Sequence, residues 1–148
     1  MYSIEFDNDI IKGVELMDIN LLNPHEKIII KKKTKLTKFI KSFDEYYIIS
    51  SILCCHKTNV IIDGHHRYFA LKELGFKNVP VTMVDYSSDL ISTGVNGNGI
   101  PKEEIIEMGL SNELFEPKST QHLIYCSRSN VWQPIILLST MFKIDTKN

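Results

Sequence analysis

Residues 60–75 read VIIDGHHRYFALKELG, and this stretch limits the chain more than any other. Val60-Ile61-Ile62 is a compact β-branched run of strand size. After Asp63 and one glycine the pattern becomes helical, with Phe69, Ala70, Leu71 and Leu74 on the helix and Gly75 where a helix end takes a left-handed residue. A strand that passes into a helix on one glycine predicts an α/β chain. It also leaves the first backbone N–H groups of the helix without acceptors, at the end where the helix dipole favours an anion. Gly64 lets a ligand approach the backbone closely. His65, His66 and Arg67 add side-chain donors, and Arg67 can grip a phosphate with two parallel bonds. Asp63 would repel a bare phosphate but suits Mg2+, which takes carboxylate oxygen together with phosphate oxygen. A plainer alternative is that Asp63 only caps the helix and one histidine is a core residue.

The flanking segments extend the α/β pattern. Residues 14–22 have strand length and stop at Asn23-Pro24. Residues 27–43 predict a helix, with Leu36, Phe39, Ile40 and Phe43 on one face and lysines over most of the other. Residues 46–55 and 79–86 predict strands, and a short strand is expected near residues 90–95, before the loop Asn96-Gly97-Asn98-Gly99. Pro101 is expected at the first position of a third helix running to about Leu114, with Glu103 and Glu104 in its first turn. Residues 117–122 are irregular, 131–138 form a last apolar run, and a polar end follows from Lys143.

The chain has 148 residues with 17 Lys+Arg against 18 Asp+Glu. A net charge of −1 excludes a histone-like protein held to DNA by bulk charge. The apolar content of 43% is that of a folded domain. Seven lysines and no acid fall within residues 27–41, which reads as a solvated helix face in preference to a nucleic-acid surface. Three cysteines give neither a disulfide framework nor zinc-ligand spacing, so Cys54, Cys55 and Cys126 are expected as reduced, buried thiols. No apolar run is long enough to span a bilayer and the start has no signal-peptide pattern, so a cytoplasmic location is expected. Trp132 is expected in the core or at an interface.

The run Ile61-Ile62-Asp63-Gly64-His65-His66-Arg67-Tyr68-Phe69-Ala70-Leu71-Lys72-Glu73-Leu74-Gly75 resembles the nucleotide-binding core of the ParB/sulfiredoxin superfamily. Leu22-Asn23-Pro24-His25-Glu26 and Leu114-Phe115-Glu116-Pro117-Lys118-Ser119-Thr120-Gln121-His122 are similar to two further segments of its free L-serine kinases, in the same order. The resemblance implies an α/β (α+β) fold with a mixed sheet and flanking helices. It implies a catalytic domain over residues 1–125, with 126–148 as an extension packing on it.

The implied activity is transfer of a phosphoryl group from ADP or ATP, with Mg2+, to the hydroxyl of L-serine. By the same resemblance Glu26 takes the position of the catalytic base and Asp63 the catalytic, metal-linked position. Gly64, His65, His66 and Arg67 fall on the phosphate cradle. Lys118, Ser119, Thr120 and His122 fall on the segment that closes over substrate. Apart from the resemblance, Glu26 could cap the lysine-rich helix. The chain departs from the family at Gln121, where an arginine is frequent, and in residues 94–99, which hold no aromatic. A ParB-like nucleotide-binding regulator or DNA-associated module is the alternative, but the junction has one arginine and only 26 residues follow His122. Sulfiredoxin chemistry needs a cysteine where His65 stands. Neither a membrane nor nucleic acid is expected as a partner, and the oligomeric state, a homodimer included, is open.

Overall fold

A computed structural model describes residues 9–94 and 99–145. A four-stranded mixed sheet in the order β1-β5-β3-β4 forms its centre, built from β1 (Ile11–Asp18), β3 (Ile52–Cys55), β4 (Ile61–Asp63) and β5 (Asn78–Val84). β1 and β5 are antiparallel, β5 and β3 parallel, and β3 and β4 antiparallel. The crossover from β4 to β5 is α2 (His65–Glu73), which packs beside α1 (Ile30–Ile40). A β2 (Tyr46–Ser50)–β9 (Met141–Asp145) pair and a three-stranded sheet of β6 (Ile91–Ser92), β7 (Leu123–Cys126) and β8 (Val131–Pro134) complete the β structure. The third helix is α3 (Lys102–Leu110).

Strand alternation sorts the core into two layers. Ile52, Cys54 and Ile61 join Tyr68, Ala70, Leu71 and Ile40 on the α1/α2 side. Leu53, Cys55 and Ile62 join Ile105, Ile124, Ile135 and Leu138 on the other. Cys54 and Cys55 thus fall in different layers, and Cys54, Cys55 and Cys126 are all buried with no disulfide, as expected. Gly75 takes the left-handed conformation expected after α2, with φ 83°.

Several boundaries differ from those expected. The first strand starts at Ile11 and stops at Asp18, whose carboxylate accepts the Asn20 N–H at 2.9 Å and starts a 3₁₀ turn over Ile19–Leu21. The lysine-rich helix starts at Ile30, because the Lys27 N–H donates to Phe115 O at 2.8 Å. Pro101 is the cap of α3, just before its first helical residue. That helix ends at Leu110, with Asn112 at φ 66°. The apolar run at 131–138 divides into β8 and a 3₁₀ turn over Ile135–Leu138, and Trp132 is 44% exposed against Tyr125. The polar end contains β9, in which only Ile144 is buried. Residues 126–145, read as an extension, thereby supply β8 and β9. The strand expected near residues 90–95 is Ile91–Ser92; Val95 and Asn96-Gly97-Asn98 lie outside the described residues, as does residues 1–8.

Residues 46–55 form two strands in two sheets, and Ser51 is the break. Its side chain is wholly buried, lies 2.7 Å from the Thr82 hydroxyl and accepts the Thr140 N–H at 2.8 Å. Its carbonyl accepts from the Ser139 hydroxyl at 3.1 Å. A polar side chain is sequestered here because it joins the central sheet to the chain entering β9. Ser51→Ala removes a partner of the buried Thr82 hydroxyl and of the part-buried Thr140 N–H and is expected to lower unfolding free energy by about 1–3 kcal/mol; urea unfolding monitored by far-UV circular dichroism measures this.

Candidate active site

The strand–glycine–helix junction is formed as the sequence implies. β4 ends at Asp63, and Gly64 caps α2 in the left-handed region at φ 107°. A Cβ on Gly64 would be strained by the left-handed conformation and would lie 2.9 Å from Arg67 Nη2, so the Arg67 side chain would have to shift. Arg67 folds back over the turn and donates from Nη2 to Asp63 Oδ2 at 3.1 Å. Its other terminal nitrogen, Nη1, is buried with no hydrogen-bond partner among the described residues. A buried donor of this kind is costly unless a ligand meets it. Burial pushes the Asp63 carboxyl up, opposed by the charges of Arg67 and His66. Burial likewise pulls Arg67 down, and Asp63 offsets it.

A second segment carries Glu26 to the junction. The Asn23 N–H donates to Asn59 O at 2.9 Å and the Ile61 N–H to Asn23 O at 2.8 Å, so the chain after β1 runs beside β4. Glu26 then forms a parallel bridge with Phe115. The Phe115 N–H donates to His25 O and the Lys27 N–H to Phe115 O, both at 2.8 Å. This pairing draws the segment after α3 across the site. Glu26 Oε1 accepts from the Thr120 N–H at 3.0 Å, from the Thr120 hydroxyl at 3.1 Å and from the Ser119 hydroxyl at 3.4 Å.

Behind the carboxylate lies His25, with no exposed surface. Its Nδ1 is 2.6 Å from Ile61 O and therefore carries a proton, while Nε2 is 3.1 Å from the Thr120 hydroxyl. Burial brings its pKa down to about 4, partly opposed by the bond to Ile61, so the ring is neutral at pH 7. Neutral Nε2 is an acceptor. The single Thr120 hydroxyl proton thus has two acceptors, His25 and Glu26, whereas the Thr120 N–H serves Glu26 alone.

His65 and His122 are also buried, and His25 meets them edge-on with ring centres 4.4 and 6.1 Å away. Burial and then the neighbouring histidines lower the His65 pKa well below its usual value. Burial, His25 and Lys102 bring His122 to about 3. His122 Nε2 lies 2.7 Å from the Tyr86 hydroxyl. His66 is lowered by burial and by Lys32 and Lys118, with Asp63 opposing.

A cavity of about 520 Å³ joins these parts. Glu26, Asp63, Gly64, His65, His66, Arg67, Thr120 and His122 line its polar side, and Leu36, Ile62, Pro134, Ile135 and Ile136 its apolar side. Lys118 and Ser119 are not among the lining residues. Lys118 has positive φ (58°) and faces Lys32, whose pKa it lowers. Three features were not foreseen from the residues alone: the buried His25, the pairing of Lys32 with Lys118, and the Pro134-Ile135-Ile136 wall. His25 lies next to the proposed base in the segment already singled out, which is the one available signal.

No family model matches the chain. In sequence it is 40% identical over 81 residues to an ATP-dependent L-serine kinase of Staphylothermus marinus, covering 51% of this chain and 32% of that protein. It is 32% identical over 78 residues to the ADP-dependent L-serine kinase SerK of Thermococcus kodakarensis, covering 49% and 31%. It is 31% identical over 70 residues to a ParB-like protein of Sulfolobus acidocaldarius, covering 47% and 34%. The matched stretches thus span about a third of the length of these curated relatives. The whole fold is similar to that of a free serine kinase in complex with AMP, with a TM-score of 0.70 at 14% identity over 99% of this chain and 96% of that one. The fold is therefore of the free serine kinase type, α/β with a mixed sheet and flanking helices, as the resemblance implied. Among the described residues no helix is long and apolar enough to cross a membrane.

Gly64→Ala forces a side chain into a left-handed turn and against Arg67. It is expected to cost about 1–3 kcal/mol in strain, measured by urea unfolding monitored by far-UV circular dichroism.

Proposed function

We propose that the protein is a free L-serine kinase that transfers a phosphoryl group from ADP or ATP to the serine hydroxyl. The observation that carries this reading is the Glu26 carboxylate, anchored through Oε1 to Thr120, on the wall of the cavity that the Gly64–Arg67 turn also lines. With Oε1 so held, Oε2 is the oxygen left to meet a substrate hydroxyl.

Phosphoryl transfer depends on positioning and charge neutralisation. Glu26 orients the serine hydroxyl and accepts its proton as the oxygen attacks the terminal phosphorus. The bond from that phosphorus to the bridging oxygen breaks, giving O-phospho-L-serine and AMP from ADP, or ADP from ATP. Gly64, His65, His66 and Arg67 cradle the nucleotide phosphates, and the unpaired Arg67 Nη1 gains its partner there. Thr120 and His122 form the substrate side of the cavity; Ser119 acts there through its hydrogen bond to Glu26, and Lys118 with Lys32, both near His66, supplies positive charge for an anionic group. Leu36 and Ile136 offer apolar surface to the rest of the nucleotide. Because Pro134, Ile135 and Ile136 complete the cavity, residues 126–145 work as part of the same unit as the core.

The donor set fits Mg2+. Asp63 is a partly exposed carboxylate beside the phosphate cradle, and Mg2+ is commonly held by one or two carboxylates plus substrate phosphates. Among the described residues no group of three His, Cys, Asp or Glu could hold a metal without such help. When bound, Mg2+ would neutralise charge on the phosphate oxygens.

Purified protein with L-serine, Mg2+ and ADP or ATP is expected to yield O-phosphoserine, detected by mass spectrometry. Glu26→Gln, which keeps the shape and removes the base, is expected to lower kcat by about 10²–10⁴. Absence of product with both nucleotides would sink the kinase reading. ADP or ATP binding without turnover, together with a salt-sensitive DNA shift, would favour the ParB-like alternative.

A further inference from the structure

His65 and His66 open α2, yet each uses one ring nitrogen on the segment that carries Glu26. His65 Nε2 accepts the His25 N–H at 3.0 Å. His66 Nε2 accepts the Ile29 N–H at 3.0 Å. A backbone amide can only donate, so both Nε2 atoms are unprotonated and both neutral rings carry their proton on Nδ1.

The two bonds fall on either side of Glu26, one residue before it and three after. Residues 25–29 belong to no helix or strand; beyond the single bridge at Glu26, no regular ladder fixes them. Adjacent histidines on one helix turn therefore span the segment at its two ends.

We propose that His65 and His66 are positioning residues for Glu26, clamping its segment to the start of α2 through Nε2; this rests on Glu26 being the base of the proposed kinase. The fixed tautomer leaves Nδ1–H as the hydrogen that each ring can offer a phosphate oxygen. Each histidine thus joins the phosphate cradle to the base. A phosphate that orders these rings also orders the carboxylate, and a substitution at either ring is felt at Glu26.

His66 is the better test site because it is only half-buried. Long-range ¹⁵N–¹H spectra of the imidazoles are expected to show the Nδ1–H tautomer at His65 and His66; the Nε2–H form at both would overturn the proposal. In His66→Ala the Ile29 amide is expected to exchange with solvent about tenfold faster or more. In His66→Gln, whose side-chain oxygen reaches the place of Nε2, that protection is expected to return. In turnover, His66→Ala is expected to lower kcat at saturating nucleotide about tenfold, in addition to any affinity lost with its phosphate contact, and His66→Gln, which restores the bond to Ile29, to recover most of kcat. A loss confined to nucleotide affinity, with kcat unchanged, would contradict it. If the unaltered protein makes no phosphoserine, the kinase reading fails alone: an Nδ1–H tautomer with faster Ile29 exchange still establishes the clamp, and a protected Ile29 amide in His66→Ala refutes it.

Discussion

The site depends on backbone pairing of residues 23–27 on both sides. Towards β4, the Asn23 and Ile61 amides tie the segment to the strand that ends at Asp63. Away from it, His25 and Lys27 exchange hydrogen bonds with Phe115. One strand therefore sets the level of the Gly64 turn and of Glu26 together. The Phe115 pairing brings Ser119 and Thr120, more than 90 residues away in the chain, onto the carboxylate.

Electrostatics at the site follow from burial. His25, His65 and His122 are packed edge to edge and all are held neutral, because three buried imidazolium ions in contact would be both desolvated and mutually repelled. Neutral rings act as both donors and acceptors, which is what an interlocked network requires. Positive charge enters instead through Arg67, buried but paired with Asp63, and through Lys32 and Lys118 at the surface. Asp63 alone does not satisfy the guanidinium, so the turn keeps a buried donor in reserve.

Much of the central sheet was legible in the sequence because its signals are local. Val60-Ile61-Ile62, Gly64 and Gly75 carry their own conformational constraints, and β4 and α2 lie where these residues imply. Ser51 was not legible: a serine within an apolar run signals a break only once Thr82 and Thr140 are known to surround it. β9 was missed for the same reason, since its one buried residue, Ile144, becomes core only through pairing with β2. For the site, motif order singled out Glu26, the Gly64 turn and residues 118–122. It did not reveal that the Ser119 and Thr120 hydroxyls approach Glu26, that His25 competes for the Thr120 proton, or that Lys118 faces Lys32. Those relations are long-range and depend on rotamers that no spacing rule encodes.

The central claim is that Thr120 holds Glu26 in the orientation that lets it act on a hydroxyl. Thr120→Val keeps the volume and the backbone N–H and removes only the shared hydroxyl. Steady-state kinetics of serine phosphorylation, with nucleotide affinity measured in parallel, should give a kcat about tenfold lower at nearly constant nucleotide Kd, the size of one lost hydrogen bond. An unchanged kcat, or a loss explained wholly by weaker nucleotide binding, would contradict it.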